Sequence, residues 1–254
     1  MALTPLRRPA LVAVVAALLC LAGCRSSAPA AGPQGSPTPL DPALTGGIAG
    51  RVLWQGPPLA PAMIDMRGAA ACGAASQPDE SLVVNSDGTV RWAFVYIARG
   101  LESWRFAVPA QPVTLDQRGC RFEPHVFGIM AGQPLRIISS DATIHNVHAE
   151  AKLNRPWNES MTPGMAPLLE RFTVPEIMVP IRCNVHAWME AFAGVVSNPY
   201  FAVTGTDGAF VLKNVPAGTY TLAVWQERLG TQEQTVTVLP RKTSQVSFLE
   251  TPRS

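Results

Sequence analysis

Apolar positions along this chain fall in short runs punctuated by Gly, Pro, Asn and Asp, and long stretches with a helical period are missing. Residues 219–225 (TYTLAVW) alternate apolar and polar, as a strand with one face in a core does. Leu135–Ser139 (LRIIS), 46–54 (GGIAGRVLW) and 89–97 read as further strands. Asp87-Gly88 marks the turn of a hairpin over 83–97, and Asp207-Gly208 marks a second hairpin between the strand-like runs of 200–230. Asn214 to Gly218 (NVPAG) is another turn, and 232–248 completes the sheet. The pattern predicts an all-β protein built as two β-sandwiches in tandem. The run 46–54 could open the first sandwich or complete the second.

One apolar run breaks the pattern. Residues 11–19 (LVAVVAALL) follow Arg7 and Arg8 and end at Leu21-Ala22-Gly23-Cys24. This is a charged segment and a short apolar segment in the order of an export signal. Its end resembles the bacterial lipobox. That resemblance implies cleavage before Cys24 and a diacylglycerol on its sulfur. Residues 25–44 (RSSAPAAGPQGSPTPLDPAL) have no apolar period and read as a flexible tether. Without Arg7 and Arg8 the basic residues fall from 20 to 18 and equal the 18 acids. No basic field for nucleic acid is left.

Export implies an oxidising compartment, and that changes the reading of the five cysteines. Cys20 lies in the leader and Cys24 is the lipid site. Cys72 and Cys120 flank the segment containing the strand-like run 89–97 and are expected to pair. Cys183 is then an odd thiol, which metal ligation explains. Residues 181–192 read IRCNVHAWMEAF, with Cys183, His186 and Met189 in a C-x2-H-x2-M spacing. Thiolate, imidazole and thioether form a soft donor set suited to copper, whereas zinc prefers Cys and His without a thioether. A trigonal copper site wants a second imidazole. Upstream, Asp141 to His148 (DATIHNVH) offers His145 and His148. Residues three apart on a strand point to opposite faces, so the two do not share one ion on a regular strand. His125 reads as a hydrogen-bonded or surface residue.

The His-Asn-Val-His run followed by a Cys-x2-His-x2-Met loop resembles the amicyanin/plastocyanin-like blue copper domains, the cupredoxins, over about residues 122–196. The resemblance implies one mononuclear copper ion, Cu(I)/Cu(II), held by His145, Cys183, His186 and an axial Met189. It implies that Asn146 ties the two ligand loops together, that His148 is not a ligand, and that electrons leave through the outer edge of His186. Trp188 is placed beside the ligands, with Phe192 and Pro199, as an apolar shell. Departures from the family are Pro180 in the strand before Cys183 and the polar insertion 154–168. Residues 200–230 carry Thr-x-x-Asp-Gly-x-Phe and Pro-x-Gly-x-Tyr-x-Leu, and resemble the carboxypeptidase regulatory-like, prealbumin-type sandwich. The pair resembles bacterial exported proteins of the methylamine-utilization-like kind.

The expected architecture is therefore all-β, a cupredoxin-like Greek-key sandwich followed by a small prealbumin-like sandwich. The expected segments are a signal peptide at 1–24, a linker at 25–44, a copper domain at 45–198 and a regulatory-like domain at 199–254. The expected function is single-electron transport at a type 1 copper centre, without enzymatic turnover, because no open coordination position is implied. The expected location is the bacterial cell envelope, lipid-anchored and facing the periplasm or the exterior. The expected partners are extracytoplasmic redox proteins and the membrane, and no nucleic acid. A copper-binding or delivery lipoprotein, and an adhesive or carbohydrate-binding lipoprotein, are the alternatives.

Overall fold

The computed structural model describes Met1 and residues 36–67, 69–73 and 76–252. Cys20, Cys24, the leader from residue 2 and the tether up to residue 35 lie outside the described residues. Beyond residue 35 the tether segment is tied down, because Thr38 exchanges two hydrogen bonds with Arg105 and Asp41 caps the short 3-10 turn Pro42–Leu44.

Regular structure among the described residues is almost entirely strand, as the short apolar runs require. In chain order the first strands are β1 (Thr45–Trp54), β2 (Met63–Asp65), β3 (Ser76–Pro78), β4 (Val83–Val84), β5 (Val90–Arg91) and β6 (Phe94–Arg99). A middle block follows: β7 (Val113–Gln117), β8 (Phe122–Glu123), β9 (Val126–Met130), β10 (Leu135–Ser139), β11 (His145–Ala149), β12 (Trp157–Met161), β13 (Leu168–Glu170), β14 (Glu176–Arg182) and β15 (Glu190–Val196). The last strands are β16 (Phe201–Val203), β17 (Ala209–Pro216), β18 (Gly218–Gln226), β19 (Gly230–Val238) and β20 (Thr243–Glu250). No described helix is long and apolar enough to cross a membrane.

The middle block forms one sandwich. Its sheets run β13-β10-β7-β8 and β12-β11-β14-β15-β9. They enclose Leu115, Phe122, Leu135 and Ile137 from one side and Val147, Val179, Ile181 and Val195 from the other. The second sandwich has sheets β17-β1-β20 and β16-β6-β18-β19, closed over Ile48, Val52, Val95, Phe210, Leu222 and Phe248.

Strand pairing therefore divides the chain differently from a boundary at 198/199. β1 runs parallel to β20 from Gly47↔Thr243 to Trp54↔Glu250 and antiparallel to β17. Without β1, strands β17 and β20 have no common neighbour, so residues 199–254 alone leave a gap in that sheet. β6 pairs with β16 and β18 in the facing sheet. The middle block is thus inserted between β6 and β16 of the other sandwich, and 46–54 belongs to the latter.

Two turns behave differently. At 83–91 the Asp87-Gly88 hairpin forms between β4 and β5, with Gly88 at φ 78°. At Asp207-Gly208 no hairpin forms, because β16 joins β6 while β17 joins β1. The turn is a corner between facing sheets. It needs glycine for space and for its φ of 59°, since a Cβ on Gly208 would lie 2.3 Å from Thr89.

The two sandwiches meet at a flat patch. Gly128 of β9 and Gly194 of β15 lie in register side by side. A Cβ on Gly128 would come within 2.2 Å of the Phe201 ring, and one on Gly194 within 2.5 Å of the Phe94 ring. The missing side chains let both rings lie against the sheet, among Tyr96, Val126, Phe192 and Val196.

The polar insertion at 154–168 is part of the fold. β12 extends the sheet by pairing with β11 over five residue pairs, from His145↔Met161 to Ala149↔Trp157. Before it, buried Glu176 accepts hydrogen bonds from the backbone N–H groups of Lys152, Leu153 and Asn154 and from the Asn154 amide, at 2.6–3.0 Å. Burial pushes the Glu176 carboxyl up, and these donors together outweigh it, holding the pKa below the usual glutamate value. Glu176→Ala leaves these donors without an acceptor and is expected to cost about 3 kcal/mol, read as a lower urea midpoint. A depressed folded-state pKa stabilises fully above the ordinary value of about 4.3 and less as pH falls through the folded value. The gap between wild type and variant should therefore narrow in acid, and a gap that stays constant down to acid unfolding would contradict this role.

Candidate metal centre

Strands β14 and β15 are antiparallel and end at the pair Arg182↔Glu190, whose side chains also form an ion pair. The seven residues Cys183–Met189 between them make a tight loop. Cys183 N–H donates to the Met189 carbonyl (3.2 Å) and Met189 N–H to the His186 carbonyl (3.0 Å). The loop thereby folds the Cys, the His and the Met of the C-x2-H-x2-M run back on one another. Pro180 sits inside β14 without ending it, and its carbonyl accepts from Glu150 N–H (2.9 Å).

The neighbouring strand β11 brings the upstream histidine. His145 begins β11, and β11 pairs with β14 through His148↔Arg182 and Ala149↔Ile181. Asn146 locks the two segments together, because its Oδ1 accepts from Asn184 N–H (2.6 Å) and lies 3.5 Å from Cys183 Sγ. Its amide donates in turn to Asn158 on β12 (2.6 Å). As alternation along a strand requires, His145 is fully buried while His148 is partly exposed near Glu150.

The result is a convergence of three donors. Ligand atoms of His145, Cys183 and His186 lie within 4.8 Å of one another. His145 Nδ1 is 3.0 Å from His186 Nδ1. On the far side of its ring, His145 Nε2 meets Asp141 Oδ2 at 2.9 Å. That carboxylate also accepts from the backbone N–H groups of Gly119 (2.7 Å) and Cys120 (2.8 Å). With Nε2–H given to Asp141, the His145 lone pair sits on Nδ1, aimed into the site.

The charges follow from this geometry. Burial pushes the Cys183 thiol up, but its hydrogen bond to His145 and the backbone N–H groups of Asn146, His186 and Val185 bring it below the ordinary thiol value. Burial pushes His145 down, and the Cys183 sulfur and Asp141 more than offset that. His186 is held below the ordinary value by burial and by the charge of His145.

These residues fit a metal ion. Zinc–imidazole bonds of about 2.0–2.1 Å set the scale for a first-row ion, and two of them at an angle of about 95° place the nitrogens about 3.0 Å apart, as the two Nδ1 atoms are. A thiol with a lowered pKa supplies the third donor. Two other donor clusters, Cys72–Cys120–His186 and Cys120–Asp141–His145, share residues with this one. Their sulfurs are joined in the Cys72–Cys120 disulfide, which leaves Cys183 free among the described residues.

Met189 is buried beside the loop that it closes. Trp188 packs on His186 (ring centres 5.2 Å apart) and donates its indole N–H to the Cys120 carbonyl at 3.0 Å. His125 lies apart from the cluster, between the Glu190 carbonyl and Glu227. His186 is more covered than an exposed electron exit implies: the residue is only 8% exposed and its Nε2 lies 3.7 Å from Cys72 Sγ. The disulfide lays Cys72 over the loop, whose exposed residues are Asn184, Val185 and Ala187. Sequence reasoning gave no role to Asp141, although a carboxylate four residues before a ligand-type His is the signal that finds it.

The family described as polysaccharide lyase family 4, domain II matches residues 181–246, less than half of the chain. No curated protein sequence matches. Among solved structures, a copper-containing nitrite reductase (NirK) from Thermus scotoductus SA-01 aligns at 20% identity and TM-score 0.33, over 41% of this chain and 25% of that one. The chain thus spans about a quarter of that reductase. An amicyanin variant in its Cu(I) form aligns at 20% identity and TM-score 0.30, over 40% of this chain and 97% of that one. A purple cupredoxin from Nitrosopumilus maritimus aligns at 14% identity and TM-score 0.28, over 32% and 97%. At TM-scores this low the reading of the site rests on its own geometry.

Asp141 orients His145 from outside the donor set, so Asp141→Asn is expected to weaken Cu(II) binding about 10–100-fold in a chelator competition. Unchanged affinity would show that the carboxylate only braces the 119–120 turn.

Proposed function

We propose that this protein is a mononuclear copper protein that carries single electrons. The observation that supports it best is the convergence of a thiol of lowered pKa and two buried imidazoles in one rigid pocket. The donors would be His145, Cys183 and His186, with Met189 as weak axial donor. Copper bound there would supply one-electron chemistry by alternating between Cu(I) and Cu(II).

The rest follows from the chain's own residues. Backbone N–H groups hold Cys183 as a thiolate donor. Asp141 fixes the His145 ring and its tautomer. Asn146 keeps the two ligand segments at one spacing through Asn184. Met189, Trp188 and Val147 exclude water. A pocket held this firmly changes little between charge states. Burial also favours a carrier over a delivery protein, since an ion handed to a partner must be exposed, whereas His145 is 0% and Cys183 3% exposed. The leader-type segment and the lipobox-like Leu21–Cys24 support a location on the bacterial envelope, anchored by lipid outside the cytoplasm, with redox proteins as partners. The second sandwich is a scaffold in this reading.

Adding Cu(II) to the full chain should give one bound ion and an intense visible thiolate-to-copper band that disappears in Cys183→Ser. Met189→Leu should keep the band and raise the potential in voltammetry. A chain that binds no stoichiometric copper, or that keeps the band without Cys183, would refute the proposal.

A further inference from the structure

His186 presents its two ring nitrogens to two different neighbours. Nδ1 faces His145, and Nε2 faces the Cys72–Cys120 disulfide. Cys72 Sγ, Cys120 Sγ and a His186 ring nitrogen all lie within 4.8 Å of one another. As a disulfide the sulfurs offer no thiolate. We propose that, once reduced, Cys72 and Cys120 form with His186 Nε2 a second metal site, specific for a soft ion such as Cu(I), that exists only in the dithiol state. It shares His186 with the reading above but needs only the nitrogen which that reading leaves unused.

The spacing suits it. Metal–sulfur and metal–nitrogen bonds of about 2.3 and 2.0 Å at a trigonal angle put the two donor atoms about 3.7 Å apart, the distance found between Cys72 Sγ and His186 Nε2. Two thiolates and an imidazole are soft donors that select Cu(I) over hard ions. The site would also survive loss of the S–S bond, because each half is held by other contacts. Asp141 grips the N–H groups of Gly119 and Cys120, Gln77 donates to the Gly119 carbonyl, and Trp188 donates to the Cys120 carbonyl. Cys72 closes a 3-10 turn through the Ala69 carbonyl and packs in the same core as fully buried Met66. The Cα atoms are only 5.4 Å apart, so thiolates can reach one ion without moving the backbone far.

The reductant is a dithiol. It gives two electrons and two protons to the S–S bond, which becomes two thiols while the reductant becomes a disulfide. Cu(I) then displaces the two thiol protons and is bound by two sulfurs and one nitrogen; where Nδ1 already holds an ion, the Nε2 proton is released to solvent as well and His186 bridges the two ions as an imidazolate.

The test uses the full chain carrying Cys20→Ser and Cys24→Ser, so that Cys72, Cys120 and Cys183 are its only cysteines. The chain is titrated with Cu(I) without oxygen against a coloured Cu(I) chelator, as isolated and after dithiol treatment and desalting. Reduction should double the copper bound, from one ion to two. In a further Cys183→Ser variant it should rise from none to one, and capping the reduced pair with iodoacetamide should return it to none. Cys72→Ser with Cys120→Ser should bind one ion whatever the treatment; if that variant does not fold, the capped Cys183→Ser sample carries the comparison. A capacity that stays at one after reduction, or a reduced Cys183→Ser chain that binds nothing, overturns the second site while leaving the first intact. A reduced Cys183→Ser chain that gains an ion, while its oxidised Cys183-containing parent binds none, keeps the second site and refutes the first.

Discussion

Two imidazole nitrogens facing each other at 3.0 Å inside a core cannot both carry protons. The space between them takes one cation, a proton or a metal ion, and this constraint organises the residues around it. Asp141 holds His145 by its far nitrogen, so the lone pair points inward. The same carboxylate takes the two N–H groups of the 119–120 turn, where Gly119 and Cys120 both have positive φ. One side chain thus joins the turn that carries the disulfide to the strand that carries the first imidazole. Asn146 does the corresponding work on the other side, joining β11 to the loop that carries Cys183.

The larger architecture keeps that arrangement rigid. β14, which leads into the ligand loop, is the central strand of its five-stranded sheet, hydrogen-bonded to β11 on one side and to β15 on the other. The edge strand β9 and its neighbour β15 rest on the second sandwich through a glycine pair that admits the Phe94 and Phe201 rings. β6, which presents Phe94, enters the chain before the site-bearing block and β16, which presents Phe201, comes after it. Both ends of the inserted block are therefore pinned to one sheet of the other sandwich, which limits how far the block can open.

Much of this was legible from residue order. The short alternating runs give strands, and β10 falls where LRIIS places it. The three soft and nitrogen donors were visible because a tight loop after a strand has few ways to fold, and because alternation separates His145 from His148. The Cys72–Cys120 pairing followed from counting thiols in a chain whose first residues read as an export signal. What could not be read was long-range pairing. Nothing local in 46–54 distinguishes a strand that opens one sandwich from one that fills the space between β17 and β20. Asp207-Gly208 has hairpin chemistry, yet the flanking strands find partners in opposite sheets. The covering of His186 likewise depends on where a disulfide 48 residues long in sequence separation lays its first cysteine. Asp141 was overlooked because its role is to the ring behind the ligand atom, a relation that only three dimensions display.

The central claim is that one sulfur and two imidazoles share a single ion. X-ray absorption at the copper edge measures this directly on the disulfide-intact chain loaded with one equivalent of Cu(II). The account predicts a first shell of one short sulfur and two nitrogens, with imidazole outer-shell scattering. A first shell of nitrogen and oxygen alone, without sulfur, would contradict it.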